Sequence, residues 1–445
     1  MTRFDESLPA MAAIVEEKLG RDAVEKSVFI RDATGRLSVM LATELEPGLL
    51  HHLADVLHDR LGAYSRSDSS VVRDTSDFSA EHLLQEALSV GPTPCGDYLL
   101  RLLDRRVVGA DWLRAPRPRA EGIPRVAFSS LKGGVGRSTA LSVVAAYLSR
   151  RGKRVLAVDL DLEAPGIGSL LLETKILPPF GSLDYLVENG ISGVDNDFVI
   201  DVKAQSYLGS SGGQVTVVPA IGSKTVACPL NALSKISRAY VEDIDTDGRS
   251  VPFTDQVCEM IDRLADPNLF DVVLVDARAG LHETTAAVIL GLGADVLLFG
   301  VDEPQTYLGY RLLLSHLVRF PVNADDDWRD RLHFVHAKAS DSEKKQKEAE
   351  ERFRDLAQII YPPSAAVATV EPLTEDDFDL NWALDANINE IISSDDGALL
   401  RILDDARYRD FDPVTRRDLL EDETFMGTFS SLLQWFDFIV DNPEE

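Results

Sequence analysis

Cysteine is nearly absent from this chain: Cys95, Cys228 and Cys258 are the three it has in 445 residues. They lie far apart, with no CxxC pair and no histidine at ligand spacing. That argues against a disulfide framework or a thiolate metal site, and buried free thiols are expected. Also lacking is any run of about 18 uncharged apolar residues, the length a membrane-spanning helix needs. The N-terminus carries Asp5 and Glu6 where an export signal would need a cationic start. The expected location is therefore the cytoplasm, with no membrane as a partner. Positive charge is scarce too. Lys and Arg number 45 against 74 Asp and Glu, a net charge of −29. A protein that grips duplex DNA must neutralise phosphates, which such a surface on average repels, so nucleic acid is not an expected partner.

What the chain does have is ordinary apolar content, 45%, and a length that suggests roughly three units of about 150 residues. Residues 1–113 read as a small α+β module. VFIRDATGRLSVMLA has the pattern of a hairpin around the turn-forming cluster Asp32-Ala33-Thr34-Gly35. Helical periodicity flanks it at Leu8–Leu19, Glu46–Leu61 and Ala80–Leu88. Residues 114–123 read as a linker. Pro116 and Pro118 interrupt Arg114, Arg117 and Arg119, and a solvated hinge is expected in preference to a basic patch.

Between 124 and 371 short apolar runs alternate with helical stretches: Val126–Phe128, Val155–Val158, Val215–Val218, Val272–Val275, Val296–Phe299, Phe334–Val335 and Ala366–Val370. Strands buried on both faces read as continuous apolar runs, and helical crossovers imply that they are parallel. The expected fold is α/β, a doubly wound, mostly parallel sheet of about seven strands. Ligands of such sheets bind at the carboxyl ends of the strands. From 372 to 445 the chain is acidic and then helical, with EDDFD and SSDD read as solvated loops. Phe425, Phe429, Leu432, Leu433, Phe436 and Ile439 form an apolar stripe. Its opposite face offers Asp437 and Asp441 rather than lysines. That suits packing on the body of the protein better than a membrane surface.

The chemistry is written after those strands. Ser129-Ser-Leu-Lys132-Gly133-Gly134-Val135-Gly136-Arg137-Ser138-Thr139 runs from strand through a glycine-rich turn into a helix. Such a turn points backbone N–H groups and a helix dipole at a phosphate, and a hydroxyl at Ser138 is placed to ligate Mg²⁺. Two further strands end in Asp159-Leu-Asp161 and in Asp276-Ala-Arg-Ala-Gly280. Each motif alone is weak; three in this order on one sheet are strong.

KGGVGRST, with its lysine early in the loop, resembles the deviant phosphate loop of the ParA/MinD family of P-loop ATPases. The resemblance covers residues of about 124–371. It implies ATP and Mg²⁺ as cofactors, a homodimer in the ATP state, and a cation at Lys132 that acts on the partner subunit's phosphates. It further implies that Asp161 positions the attacking water and that Asp159 supports the metal shell. Asp276 would hold Mg²⁺ through water, and Gly280 would let the backbone approach the terminal phosphate. Leu131 stands where the general pattern has glycine, and Arg137 replaces the usual loop lysine. Arginine keeps the charge but is a planar fork, so phosphate binding is expected to survive and fast hydrolysis is not assured. Arg278 is expected to pair with Asp159 or Glu163, and Gln305 to be a helix-start residue or a contact of the second switch. His336-Ala-Lys338-Ala-Ser-Asp341 is similar to the TKxD of related GTPases, but its aspartate falls one place late, and ATP is expected over GTP.

The reading is thus an Mg²⁺-dependent ATPase acting as a dimerisation switch, with protein partners met through the N-terminal module. The rivals are a slow nucleotide-sensing scaffold, a ParA-like DNA-partition motor and a ligase of the same superfamily.

Overall fold

The computed structural model describes residues 2–66, 69–89, 92–106, 108–210, 212–244, 249–323, 326–361 and 399–441. The chain divides into two compact units, one built on residues up to Leu113 with His316–Pro321, the other on most of the chain from Arg114.

The first unit contains α1 (Phe4–Leu19), α2 (Arg21–Lys26), β1 (Val28–Arg31), β2 (Leu37–Met40), α3 (Pro47–Leu61), β3 (Val72–Arg73), α4 (Ala80–Ser89), β4 (Thr93–Cys95) and β5 (Tyr98–Asp104). The strands form one sheet in the order β3-β2-β1-β5-β4. β1 and β2 are the expected hairpin, paired antiparallel from Val28↔Met40 to Arg31↔Leu37. Its turn is fixed by Asp32, whose carboxylate accepts from the N–H groups of Thr34 (2.9 Å) and Arg36 (3.0 Å). β5 lies parallel to β1 at the centre of the sheet and was not anticipated. Its sequence, YLLRLLD, is leucine-rich without a β-branched residue, a composition that favours helix as readily as strand.

The second unit carries an eight-stranded sheet among the described residues. Its elements are β6 (Arg125–Ser130), α5 (Arg137–Arg150), β7 (Arg154–Asp159), α6 (Ile167–Leu171), α7 (Ser182–Ser192), α8 (Asn196–Asp201), β8 (Ala204–Ser210), β9 (Gly213–Val218), α9 (Ser223–Ala227) and α10 (Ala232–Ala239). A small hairpin of β10 (Asp243–Ile244) and β11 (Ser250–Val251) follows, then α11 (Phe253–Leu264), β12 (Val272–Ala279), α12 (Glu283–Ala286) and β13 (Asp295–Gly300). The series ends with α13 (Pro304–Leu317), β14 (Leu332–Ala339), α14 (Glu343–Ile360), β15 (Leu400–Leu403) and α15 (Asp422–Asp441).

Strand order is β15-β14-β13-β6-β12-β7-β9-β8. Every neighbouring pair is parallel except β8 with β9. The chain passes from β6 to β7 on one side and later to β13 on the other. That reversal is the switch point where an open α/β sheet makes a crevice. Six of the expected apolar runs lie within these strands; the seventh, Ala366–Val370, falls outside the described residues, as do EDDFD and SSDD. The edge strands β8 and β15 were not anticipated. In β15 the buried Leu400 and Ile402 alternate with half-exposed neighbours, and such a strand shows no continuous apolar run.

Two expectations are corrected. The Arg-Pro segment is not a solvated hinge. Arg117 N–H donates to the Leu290 carbonyl (2.7 Å) and Ala120 N–H to that of Gly293 (2.9 Å). Its guanidiniums are paired as well: Arg114 and Arg117 with Asp255 at 3.0 and 2.6 Å, and Arg119 with the buried Asp295 at 2.7 Å. The surplus of acid supplies these partners. Cys228, in contrast to the buried Cys95 and Cys258, is exposed; it sits at the end of the short α9, before an exposed turn.

The apolar stripe of α15 is buried against the sheet and α5. Phe436 stacks on Phe128 with ring centroids 6.0 Å apart, and Phe425 meets Tyr147 edge-on at 6.2 Å. The polar face, though partly exposed, is tied to α5 and the residues after it. Tyr147 donates to Asp437 (2.7 Å), Arg151 pairs with Asp437 (3.2 Å), and Lys153 with Asp441 (2.8 Å). Among the described residues no helix is long and apolar enough to cross a membrane. Phe436→Ala is expected to cost about 3–5 kcal/mol through the cavity it leaves in this fully buried position. Urea denaturation followed by far-UV dichroism checks this; an unchanged midpoint would mean that α15 contributes nothing to the fold.

Candidate functional site

Three strand ends at the switch point carry the motif residues. β6 delivers the glycine-rich loop, β7 ends at Asp159, and β12 holds Asp276 next to Phe128 of β6 and Asp159 of β7. After Asp276 the pairing of β12 with β6 slips, resuming at Ala279↔Ser130. A bulge of this kind re-aims side chains beside a site. Here it frees Ala277 and Arg278 from the ladder, and Gly280 N–H then donates to the Ser130 carbonyl (2.9 Å).

Within the loop Gly134 (φ 74°) and Gly136 (φ 97°) occupy the left-handed region, where a side chain would be strained. Gly136 is also the N-cap of α5 and offers no side chain to cover the helix's first N–H groups. Those donors, with the dipole of a 14-residue helix, remain directed at the loop. Val135 anchors the loop from beneath, 4% exposed, while Gly133 and Gly134 are exposed above it. Thr139 is half-buried in the first turn of α5.

Arg137 does not point up towards that anion-binding surface. Its side chain turns down and is 9% exposed. Nε donates to Asp276 Oδ1 (2.6 Å), Nη2 to Asp161 Oδ2 (3.1 Å), and Nη1 to Ser130 Oγ (3.2 Å). Burial works against its charge, but Asp276 and Asp161 outweigh that and hold its pKa above the ordinary value. Ser138 Oγ donates to the other oxygen of Asp276 (2.6 Å). Asp161 is 7% exposed and also accepts from Ala164 N–H (3.2 Å). Burial raises its pKa, and the neighbouring Arg137 only partly offsets that.

Asp159 is enclosed completely. One oxygen accepts from Asp161 N–H (3.0 Å), the other from Gly166 and Ile167 N–H (both 3.0 Å). Burial and the Asp276 charge hold its carboxyl well above the usual carboxylate range, against the pull of those backbone donors. In this geometry Asp159 braces the turn after β7. Among the three expected metal-associated residues, Ser138 and Asp276 present hard oxygen donors side by side and fit Mg²⁺. Asp159, beside Asp276 in the sheet, already accepts from three backbone N–H groups.

Lys132, half-exposed on the loop's rim, pairs with Glu303 at 2.7 Å. Both groups are solvated, so the pair is weak and the ammonium is available to a stronger anion. Arg278 pairs with Glu163 (2.5 Å), one of its two expected partners; His282 and Tyr240 approach the same carboxylate at 3.7 and 3.4 Å. Burial, then Arg278, lowers the His282 pKa. A cavity of about 190 Å³ opens between Lys132 and Val135 on one side and Gly280, Leu281 and Gln305 on the other. Gln305 is the second residue of α13 and lines the same cavity as Gly280.

One residue was missed. Lys338, at the end of β14, donates from Nζ to the Gly134 carbonyl (2.7 Å) and holds φ 54°, the one positive φ of a non-glycine residue described. The sequence signal was its place in the strand-end segment after His336. That histidine is itself buried beside Phe353.

Part of the chain is similar to known proteins. Residues 126–180 match the family described as CobQ/CobB/MinD/ParA nucleotide binding domain. A 39-residue stretch is 56% identical to the chromosome-partitioning ATPase Soj of Thermus thermophilus, covering 9% of this chain and 16% of that protein. Among solved structures, a ParA family ATPase from Chlorobium tepidum aligns over 70% of this chain and 98% of its own, at 14% identity and TM-score 0.42. The cell division ATPase MinD of Pyrococcus furiosus aligns over 71% and 98%, at 17% identity and TM-score 0.41.

Lys338→Ala is expected to weaken nucleotide binding about fivefold, the loss typical of one net hydrogen bond. Titration with a fluorescent ATP analogue tests this, and unchanged affinity would mean that Lys338 plays no part in shaping the loop.

Proposed function

This chain carries a nucleotide-binding segment of the ParA/MinD type, and we propose that it is an Mg²⁺-dependent ATPase whose bound nucleotide switches it between monomer and homodimer. The observation that carries the reading is the convergence of three strand ends. A loop of open backbone donors, the Ser138–Asp276 pair and Asp161 meet at one switch point. The N-terminal donors of α5 bind phosphate, Ser138 and Asp276 hold the metal, and Asp161 orients water. Mg²⁺, when bound, neutralises phosphate charge. Lys132 supplies a cation to the opposite subunit, so its contribution exists only in the dimer. The first unit is the partner-binding element.

Arg137 favours a second reading, a nucleotide sensor that hydrolyses slowly. Without nucleotide its three donors are engaged below the loop, and drawing them to phosphate would mean giving up those bonds. Phosphate release under saturating ATP separates the two.

If Lys132 acts across a dimer, specific activity rises with protein concentration, and Lys132→Ala keeps ATP binding while losing about 10³-fold or more in turnover. Turnover over a dilution series, paired with light scattering in ATP and ADP, measures this. Flat activity from a monomer with Lys132→Ala still active would leave an ordinary P-loop hydrolase. Asp161→Ala is expected to stop hydrolysis while ATP binding persists, as seen by equilibrium dialysis. Equal loss of both would assign Asp161 to binding.

A further inference from the structure

The floor of the site is a dense patch of charge. Asp159, Asp161 and Asp276 are 0, 7 and 1% exposed, and the one cation among them is the Arg137 guanidinium. Asp161 and Asp276 converge on that one guanidinium, and burying an unpaired ion in so dry a place would cost several kcal/mol. In a site built for a hard divalent cation, the Ser138–Asp276 pair would be open on its carboxylate side. Here both oxygens of Asp276 already accept a hydrogen bond: Oδ1 from Arg137 Nε and Oδ2 from the Ser138 hydroxyl. The same planar fork reaches Asp161 and Ser130, so its position is fixed at three points. A lysine ammonium is a single point and could not bridge Asp276, Asp161 and Ser130 through a rigid plane.

We infer that Arg137 is a built-in counter-cation that competes with the divalent metal for Asp276 and Asp161, so that the site admits Mg²⁺ only when nucleotide draws the guanidinium away. The inference rests on the nucleotide-binding reading above. Phosphate offers the guanidinium acceptors at least as good as the two carboxylates it leaves. Without nucleotide, a metal ion has to displace two buried ion pairs and gains no phosphate oxygens in return. Metal and nucleotide therefore bind with positive coupling, and the coupling depends on residue 137.

The test is metal binding by the full chain without turnover. Mn²⁺ is titrated into wild type, Arg137→Ala and Arg137→Lys, with the free-ion EPR signal as readout, first without nucleotide and then with a non-hydrolysable ATP analogue. Thermal melting with and without Mg²⁺ is run in parallel. Nucleotide-free Arg137→Ala is expected to bind Mn²⁺ at least about tenfold more tightly than wild type, which corresponds to 1.4 kcal/mol of relieved competition. Mg²⁺ is expected to raise the melting temperature of Arg137→Ala but not of wild type. If Arg137→Ala fails to fold without metal yet folds when Mg²⁺ is supplied, the inference is equally supported. Arg137→Lys, which keeps charge but loses the fork, is expected between the two. Equal Mn²⁺ affinity in wild type and both variants would overturn the inference. Binding of the ATP analogue, measured in Mg²⁺ and in EDTA, reports on the glycine loop separately: if wild type binds none in either, the nucleotide reading fails first and the inference with it.

Discussion

The guanidinium of Arg137 is the point on which the second unit's working face converges. It springs from the first turn of α5, crosses beneath the glycine loop, and joins the ends of β7 and β12 through Asp161 and Asp276. Parallel pairing brings the aspartates of β7 and β12 side by side at one edge. The sheet thus creates an electrostatic problem, and the arginine is its local solution. Asp159 is accommodated differently, by enclosure among backbone N–H groups. Two aspartates separated by one residue therefore have different lives: one locks a turn, the other faces a cation.

That arrangement makes the loops around the site interdependent. The turn after β7 is tied to the start of α5 through Asp161 and to the segment after Asp276 through Glu163 and Arg278. The glycine loop is tied in addition to β14 by Lys338 and to the segment before α13 by Glu303. The solvated links are weak and the buried ones strong. A ligand that moves Arg137 disturbs two loops at once, whereas one that displaces Glu303 frees a single side chain.

The sequence revealed most of what depends on continuous pattern. Strands buried on both faces announce themselves as apolar runs, so the central strands and the motif residues at their ends could be placed from residue types alone. Leucine-rich β5 and the alternating edge strand β15 carry no such signature, because their burial depends on neighbours distant in the chain. Side-chain direction was likewise hidden. Arg137 reads as a phosphate cation in any alignment with a loop lysine; only the fold shows that three acceptors lie below it. The arginines of residues 114–119 look solvated for the same reason, since their partners Asp255 and Asp295 stand more than a hundred residues away.

The contact between α5 and α15 bears on how the protein is made. Tyr147 and Asp437 are 290 residues apart, and their hydrogen bond joins the helix that carries the glycine loop to a segment synthesised much later. At about 5–20 residues per second a ribosome takes roughly 15–60 s to cover that distance. Throughout that interval the apolar flank of α5, including Tyr147, has no α15 to cover it. The nascent second unit is therefore an open-sided sheet for tens of seconds, long enough to be a substrate for chaperones.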